Sequence, residues 1–272
     1  MDDARVTFYG TRGSMPIAGH MYDQFGGATS CVLLELGGQI ILLDAGSGLL
    51  GASGYFSALP GGTATLLLSH SHLDHIMGLL SFGALSREQW QFDICGPVLS
   101  GLSVRQQLTR LMSPPLWPVG PGDAFAPQTR YIDLKPGTFH IGPVRVTAQV
   151  GNHPGGAYLY RLEHGGKSVV YATDFEHTKE ALSRLEPLAR GCDLLIMDAQ
   201  FSDAEYQAFA MGWGHATWEA VTALSRQWGV KRTRMFHHSR KLDDDALLER
   251  EVEARALNAN CAFARSMEVV AF

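Results

Sequence analysis

The sequence predicts an α/β protein in which two β-sheets pack face to face with helices on their outer sides. Three observations carry that prediction. The chain holds two successive strand-rich halves, each half ends in helices, and no linker-like or low-complexity stretch separates them. No short-period repeat is present, so residues 1–272 read as a single domain.

Short apolar strands between glycine-rich turns open the first half: Val6–Tyr9, Cys31–Leu36, Gln39–Asp44 and Thr65–Ser69. A helix is expected over 74–84, a strand over Phe92–Cys95 and a helix over Val104–Leu111. Residues 112–118, Met-Ser-Pro-Pro-Leu-Trp-Pro, cannot form regular structure, because proline lacks a donor and restricts its predecessor. That apolar loop is a candidate wall over an active site, with a packing loop as the alternative. The second half predicts strands at Tyr131–Leu134, Thr138–Ile141, Val144–Val150, Ala157–Leu162 and Ser168–Thr173. Helices follow over 178–189, 203–209 and 216–228, with strands Asp193–Met197 and Arg234–Phe236 between them. A helix over Asp243–Leu257 precedes a terminal strand, Met267–Phe272.

At 46% hydrophobic and 18% charged, the composition is that of an ordinary globular protein. No apolar run approaches the ~18–20 residues that span a bilayer, so no membrane partner is expected. Residues 1–5 lack the basic start and apolar core of a signal peptide, which predicts a cytoplasmic protein. Cys31, Cys95, Cys192 and Cys261 are scattered and form no C-x-x-C pair; buried free thiols are expected, and sequence leaves a disulfide open. A net charge of −5 argues against charge-driven binding of duplex nucleic acid. A small anionic substrate stays compatible, because a metal's charge dominates its own site. A homodimer is left open.

Chemistry concentrates in residues 69–75, Ser-His-Ser-His-Leu-Asp-His, directly after the apolar run 64–68. Imidazoles with a carboxylate and no thiolate suit zinc, manganese or iron. In an extended segment His70 and His72 point the same way, because side chains alternate with period two. Asp74 and His75 then project from the first turn of the following helix, so one segment offers ligand pairs to two neighbouring ions. The remaining ligands must come from elsewhere. His153 lies just after strand Val144–Val150, Asp174 ends the strand 169–173, and His237 ends the strand 233–236. All sit at C-terminal strand ends, as His70 and His72 do, and such ends converge on one side of a sandwich.

These residues give the chain its resemblance to the metallo-β-lactamase fold superfamily of metal-dependent hydrolases. The resemblance rests on Leu42-Leu43-Asp44-Ala45-Gly46, on the His-x-His-x-Asp-His signature and on Asn152-His153-Pro154. It extends to Thr173-Asp174 and Phe236-His237, in family order over nearly the whole chain. It implies an αββα sandwich of two mixed β-sheets. His70, His72 and His153 would hold a first divalent ion and Asp74, His75 and His237 a second, with Asp174 and a hydroxide bridging. Zinc is the expected metal, with manganese or iron as alternatives. Asp44 is read as a buried carboxylate that orients ligand loops without binding metal.

Within the superfamily the chain resembles the ribonuclease Z and cyclic-phosphate phosphodiesterase side. The likeness lies in Thr11-Arg12-Gly13-Ser14 after the first strand and in Gly214-His215-Ala216-Thr217, which is similar to the ribonuclease Z His-x-Thr motif. There a carboxylate partners the histidine; here the candidate is Asp198, where ribonuclease Z has Glu. Ribonuclease Z also carries a basic arm that grips transfer RNA, and no such insertion is seen here. His72 stands where flavodiiron reductases carry Glu, which favours hydrolysis over redox chemistry.

The resemblance thus implies a dinuclear phosphodiesterase acting on a small or short nucleotide phosphodiester, of cyclic nucleotide or short RNA type. Its catalytic candidates are His215 as general acid, Asp198 as its partner, and Asp74. For His215 the alternative is a histidine that satisfies the turn before helix 216–228. The same site would also hydrolyse a lactone, thioester or β-lactam, and a metal-bound sensor or scaffold is the non-catalytic alternative. His238 is taken as supporting or surface, His177 as solvated with a substrate contact as the alternative, and Tyr158 and Tyr160 as packing.

Overall fold

The computed structural model describes residues 4–272, so the reading of residues 1–5 rests partly on positions outside that range. Strands β1 (Arg5–Gly10), β2 (Cys31–Leu36), β3 (Gln39–Leu43), β4 (Gly62–Leu67), β5 (Trp90–Pro97) and β6 (Arg130–Leu134) build the first sheet. Strands β7 (Gly137–Ile141), β8 (Val144–Val150), β9 (Tyr158–His164), β10 (Lys167–Ala172), β11 (Leu194–Asp198), β12 (Thr233–Phe236) and β13 (Cys261–Phe263) build the second. The last strand, β14 (Val269–Ala271), returns to the free edge of β1.

Each sheet has seven strands, the first in the order β14-β1-β2-β3-β4-β5-β6 and the second in the order β13-β12-β11-β10-β9-β8-β7. Each passes from antiparallel to parallel pairing once: at β3 in the first, where β3, β4, β5 and β6 run parallel, and at β10 in the second, where β10 to β13 do. Parallel neighbours bring their C-terminal ends to one edge, where α/β sheets bind ligands. This is the mixed two-sheet αββα sandwich.

Apolar side chains are layered accordingly. Val6, Phe8, Leu34 and Leu67 of the first sheet meet Val146, Tyr160, Tyr171 and Phe236 of the second in the central core. Tyr158 and Tyr160 lie in this layer, as expected for packing residues, and the Tyr160 hydroxyl donates to the Leu68 carbonyl at 2.7 Å. The outer face of the first sheet packs Leu66, Trp90 and Phe92 against Phe56 of α1 (Ser53–Ala58). The second sheet's outer face carries Leu195, Met197 and Met235 under the later helices. All four cysteines are buried and free.

The segment expected as a helix over 74–84 is broken into α2 (Leu73–Ile76) and two 3-10 turns, Met77–Leu80 and Gly83–Ser86. Gly78 explains the break: its N–H donates to the Ala45 carbonyl at 2.9 Å, and a Cβ there would lie 2.1 Å from the Gly46 carbonyl oxygen. The chain turns to lie against the 44–46 loop, which fixes the cluster that precedes it.

Helix α3 (Val104–Leu111) spans the residues expected, and α4 (Pro121–Ala124) is a short addition. Next come α5 (Lys179–Ala189) and α6 (Asp203–Glu205), the latter continuing as a π turn over Tyr206–Ala210 where a plain helix over 203–209 was expected. Helices α7 (Trp218–Gln227) and α8 (Asp244–Leu257) close the second half. Strand β13 has no counterpart among the expected elements, and the terminal strand is shorter than 267–272. No helix of the described residues is long and apolar enough to cross a membrane.

Candidate metal centre

Six strand ends and one short helix deliver the side chains. After β4 the extended segment 68–72 carries His70 and His72, and the first turn of α2 carries Asp74 and His75. His153 follows β8, Asp174 follows β10, Asp198 ends β11 and His237 follows β12. Asp44, after β3, Asp174 and His237 hold left-handed backbones with φ of 58°, 49° and 61°. For a residue with a Cβ that conformation costs roughly 1–2 kcal/mol, so the surrounding structure must enforce it. At each of these three strand ends the chain turns sharply and leaves the side chain at the sheet edge.

The seven expected ligands meet there. His70, His72, His153 and Asp174 bring one donor atom each within 4.8 Å of one another, and Asp74, His75 and His237 do the same. Asp174 joins the groups. Its Oδ2 lies 3.7 Å from His70 Nε2 and 3.5 Å from His153 Nε2, while its Oδ1 lies 3.1 Å from His75 Nε2 and 3.3 Å from His237 Nε2. His72 Nδ1 faces His153 Nε2 at 3.1 Å, and Asp74 Oδ2 lies 3.1 Å from His237 Nε2. His72 is exposed and the others are buried or half-buried, so the cluster opens to solvent on the His72 side.

The outward nitrogens fix which atoms face inward. Ser69 Oγ gives its hydrogen to Asp44 Oδ2 at 2.7 Å and therefore accepts from His70 Nδ1–H at 3.0 Å. His75 Nδ1–H donates to Asp44 Oδ2 at 2.7 Å, and His153 Nδ1–H to the Gly214 carbonyl at 3.0 Å. In the neutral imidazoles Nε2 is then a lone pair. His70 Nε2 and His75 Nε2 are fully buried yet make no hydrogen bond. Orphaned buried polar atoms cost free energy unless something else meets them, and a cation does.

The electrostatics agree. Burial, reinforced by His75, depresses the pKa of His70, and burial likewise depresses His72 and His153, so these rings stay neutral. Burial opposes a proton on His75, but Asp174, Asp74 and Asp44 outweigh it and raise its pKa well above the ordinary value. Those three carboxylates are an excess of negative charge around one ring, which a cation at His75 Nε2 would offset in place of a proton. Burial favours the neutral form of Asp174, yet His237 and His75 hold its pKa well below the carboxylate range. Imidazole and carboxylate donors without thiolate suit a divalent metal ion.

Beside the cluster, His215 Nδ1–H donates to Asp198 Oδ2 at 2.6 Å. Burial would lower the His215 pKa, but Asp198 raises it to about 9. The His215 ring stacks on His237 with centroids 5.0 Å apart. Asp198, His215, Asp174 and His237 also form a donor group, but the Asp198 oxygens already accept from the Gln200 and Phe175 N–H groups at 3.0 and 3.3 Å. Its lone pairs serve the backbone and His215, so the pair stands outside the ligand cluster.

Residues 39–238 match the family model described as Beta-lactamase superfamily domain. The chain belongs to the beta-lactamase superfamily. Within it, the chain is similar to ribonuclease Z of Bradyrhizobium sp. (strain ORS 278), 26% identical over 93% of this chain and 94% of the relative. It shares its fold with the metallo-beta-lactamase fold protein YhfI of Bacillus subtilis, at a TM-score of 0.77 and 23% identity over 100% of both chains. The short form of human tRNase Z has the same fold, at a TM-score of 0.66 and 20% identity over 98% of each chain. Superfamily membership and the donor cluster identify a metal-dependent hydrolase.

Sequence reading placed Asp44 in this superfamily site as an orienting carboxylate, and its contacts fit. Its oxygens take the Ser69 N–H at 2.6 Å and the Tyr171 hydroxyl at 2.8 Å besides Ser69 Oγ and His75. The contacts of the 11–14 loop, and Gln200, went unread. The Ser14 N–H donates to Asp74 Oδ2 at 2.7 Å, and Gln200 reaches both His237 Nδ1 at 3.3 Å and the Ser14 hydroxyl at 3.2 Å. Gly13 explains how that loop fits, since a Cβ would lie 2.4 Å from His237 Nδ1. The position of Gln200, two residues past Asp198, was the available signal for it. His238 is not a surface group: it is buried, and Nε2–H donates to the Ala264 carbonyl at 2.7 Å. His177 is half-buried against Tyr206 at 4.9 Å, where a solvated side chain was expected, because the π turn brings Tyr206 over it.

Proposed function

We propose that residues 1–272 act as one phosphodiesterase domain using two divalent ions, zinc first with manganese or iron as alternatives. The reading rests most on Asp174, whose two oxygens divide between His70 with His153 and His75 with His237. A carboxylate arranged so suits two cations. When bound, such a pair of ions would ionise a water and neutralise the phosphate oxygens. His70, His72 and His153 would hold one ion, Asp74, His75 and His237 the other, and Asp174 both.

The chain's own part is positioning and proton transfer. Asp44 fixes the tautomer of His75 directly and that of His70 through Ser69. The Ser14 N–H donates to the same Asp74 oxygen that faces His237 Nε2, which holds that carboxylate in place. A leaving alkoxide needs a proton that metal-bound imidazoles cannot give. His215 supplies it from Nε2, the nitrogen that its bond to Asp198 leaves free. This acid favours phosphodiester cleavage, and so does the ribonuclease Z relative. The substrate is a cyclic nucleotide or short RNA piece, since a net charge of −5 argues against charge-driven binding of a duplex. Buried free cysteines fit a reducing cytoplasm.

The test is a substrate panel on protein reconstituted with zinc or manganese. Bis(p-nitrophenyl) phosphate is expected to be hydrolysed, and thioesters, lactones and β-lactams at least about a hundredfold more slowly. Turnover of acyl substrates with phosphodiesters inert would overturn the reading.

A further inference from the structure

His215 lines two adjoining cavities. One, of ≈ 340 Å³, is the ligand cluster itself. The other, of ≈ 600 Å³, lies beyond His215 and shares Ser14, Pro154 and Trp213 with the first. Its walls are of two kinds. Phe201, Phe209 and Trp213 form an aromatic cluster, with ring centroids 5.8, 6.1 and 5.7 Å apart pairwise. Trp213 is 54% exposed and Phe209 43% exposed, so neither serves to fill the core. Arg240 and Lys241 form the other wall, and among the described residues neither meets a carboxylate. The Lys241 ammonium lies 5.4 Å over the Phe209 ring, so positive charge begins where the aromatic face ends.

We propose that this second cavity is the leaving-group subsite and that its occupant is a nucleoside bearing a phosphate of its own. The inference rests on the phosphodiesterase reading above. If His215 gives its proton to the leaving oxygen, the rest of the leaving group extends past His215, and this cavity adjoins it there. Exposed aromatic rings stack a base of any identity, and unpaired cations bind phosphate. An alkyl chain would leave Arg240 and Lys241 unused. In the reaction a water oxygen bonds to phosphorus while the bond to the leaving oxygen breaks. That oxygen takes the His215 proton, and the proton released from water passes to the imidazole or to solvent. The subsite then holds a nucleoside monophosphate whose new hydroxyl faces His215.

The experiment compares bis(p-nitrophenyl) phosphate, uridylyl-adenosine, and uridylyl-adenosine carrying one further phosphate at its 5′ or its 3′ end, on zinc-loaded enzyme. Product masses identify which nucleoside leaves. The dinucleotide phosphorylated on that nucleoside is expected to be cut with kcat/KM roughly tenfold above the unphosphorylated one, the scale of a charge-assisted contact. Lys241→Ala with Arg240→Ala is expected to erase that ratio. Trp213→Ala is expected to raise KM for both dinucleotides by roughly tenfold, the scale of one stacked base. It should also weaken equilibrium binding of the nucleoside monophosphate product by the same factor. If bis(p-nitrophenyl) phosphate turns over but no phosphorylated dinucleotide is preferred, or the variants leave ratio and KM unchanged, the subsite is overturned and the hydrolase reading stands. If no diester is hydrolysed, both fall.

Discussion

Asp174→Asn is expected to lose bound metal and to lower kcat/KM for phosphodiesters by roughly a thousandfold or more, because the nucleophile depends on the ions. The substitution is nearly isosteric, so it isolates charge from shape. Asp174 is buried, and its Oδ1 and Oδ2 face different pairs of imidazoles. An amide offers one neutral oxygen where two charged ones stood, so it cannot serve both sides. Metal analysis of the variant is expected to give fewer ions per chain than the parent, with unchanged far-ultraviolet circular dichroism. Full metal content in Asp174→Asn would show that Asp174 is not a bridging ligand.

The second large effect falls on His215→Ala and depends on the leaving group. General acid catalysis contributes about 10²–10⁴-fold, but only where the leaving oxygen needs a proton. With a dinucleotide, whose leaving alkoxide is strongly basic, the variant is expected to lose activity on that scale. With bis(p-nitrophenyl) phosphate, whose leaving anion is stable, the loss is expected to stay within about tenfold. Metal content should not change, since Nδ1 of His215 belongs to Asp198. The sign with pH follows: Asp198 favours the protonated ring, and raising the pH removes that proton. The alkaline limb of the dinucleotide profile should therefore disappear in the variant. Equal losses on both substrates, or a loss of metal, would make His215 a structural or ligating residue.

The ligand cluster was legible because the chemistry is dense. His70, His72, Asp74 and His75 sit within six positions, and His153, Asp174 and His237 each follow an apolar run that reads as a strand. Strand direction then does the rest, since parallel neighbours share an edge. What stayed illegible depends on contacts between distant segments. Nothing local marks Gly78 as lying against Gly46, so the break of the expected helix 74–84 could not be read. Strand β13 is three residues long and exists through its pairing with β12. Sequence reading gave Phe209 and Trp213 no role, and the fold leaves them exposed beside His215. Backbone groups such as the Ser14 N–H and the Gly214 carbonyl act at the site with no side-chain signal.

The most direct test is anomalous diffraction at the metal edge from crystals of the reconstituted enzyme. Two peaks per chain are expected, one among His70, His72 and His153 and one among Asp74, His75 and His237, with an Asp174 oxygen bonded to each. A single peak, or an Asp174 turned away from either ion, would contradict the account.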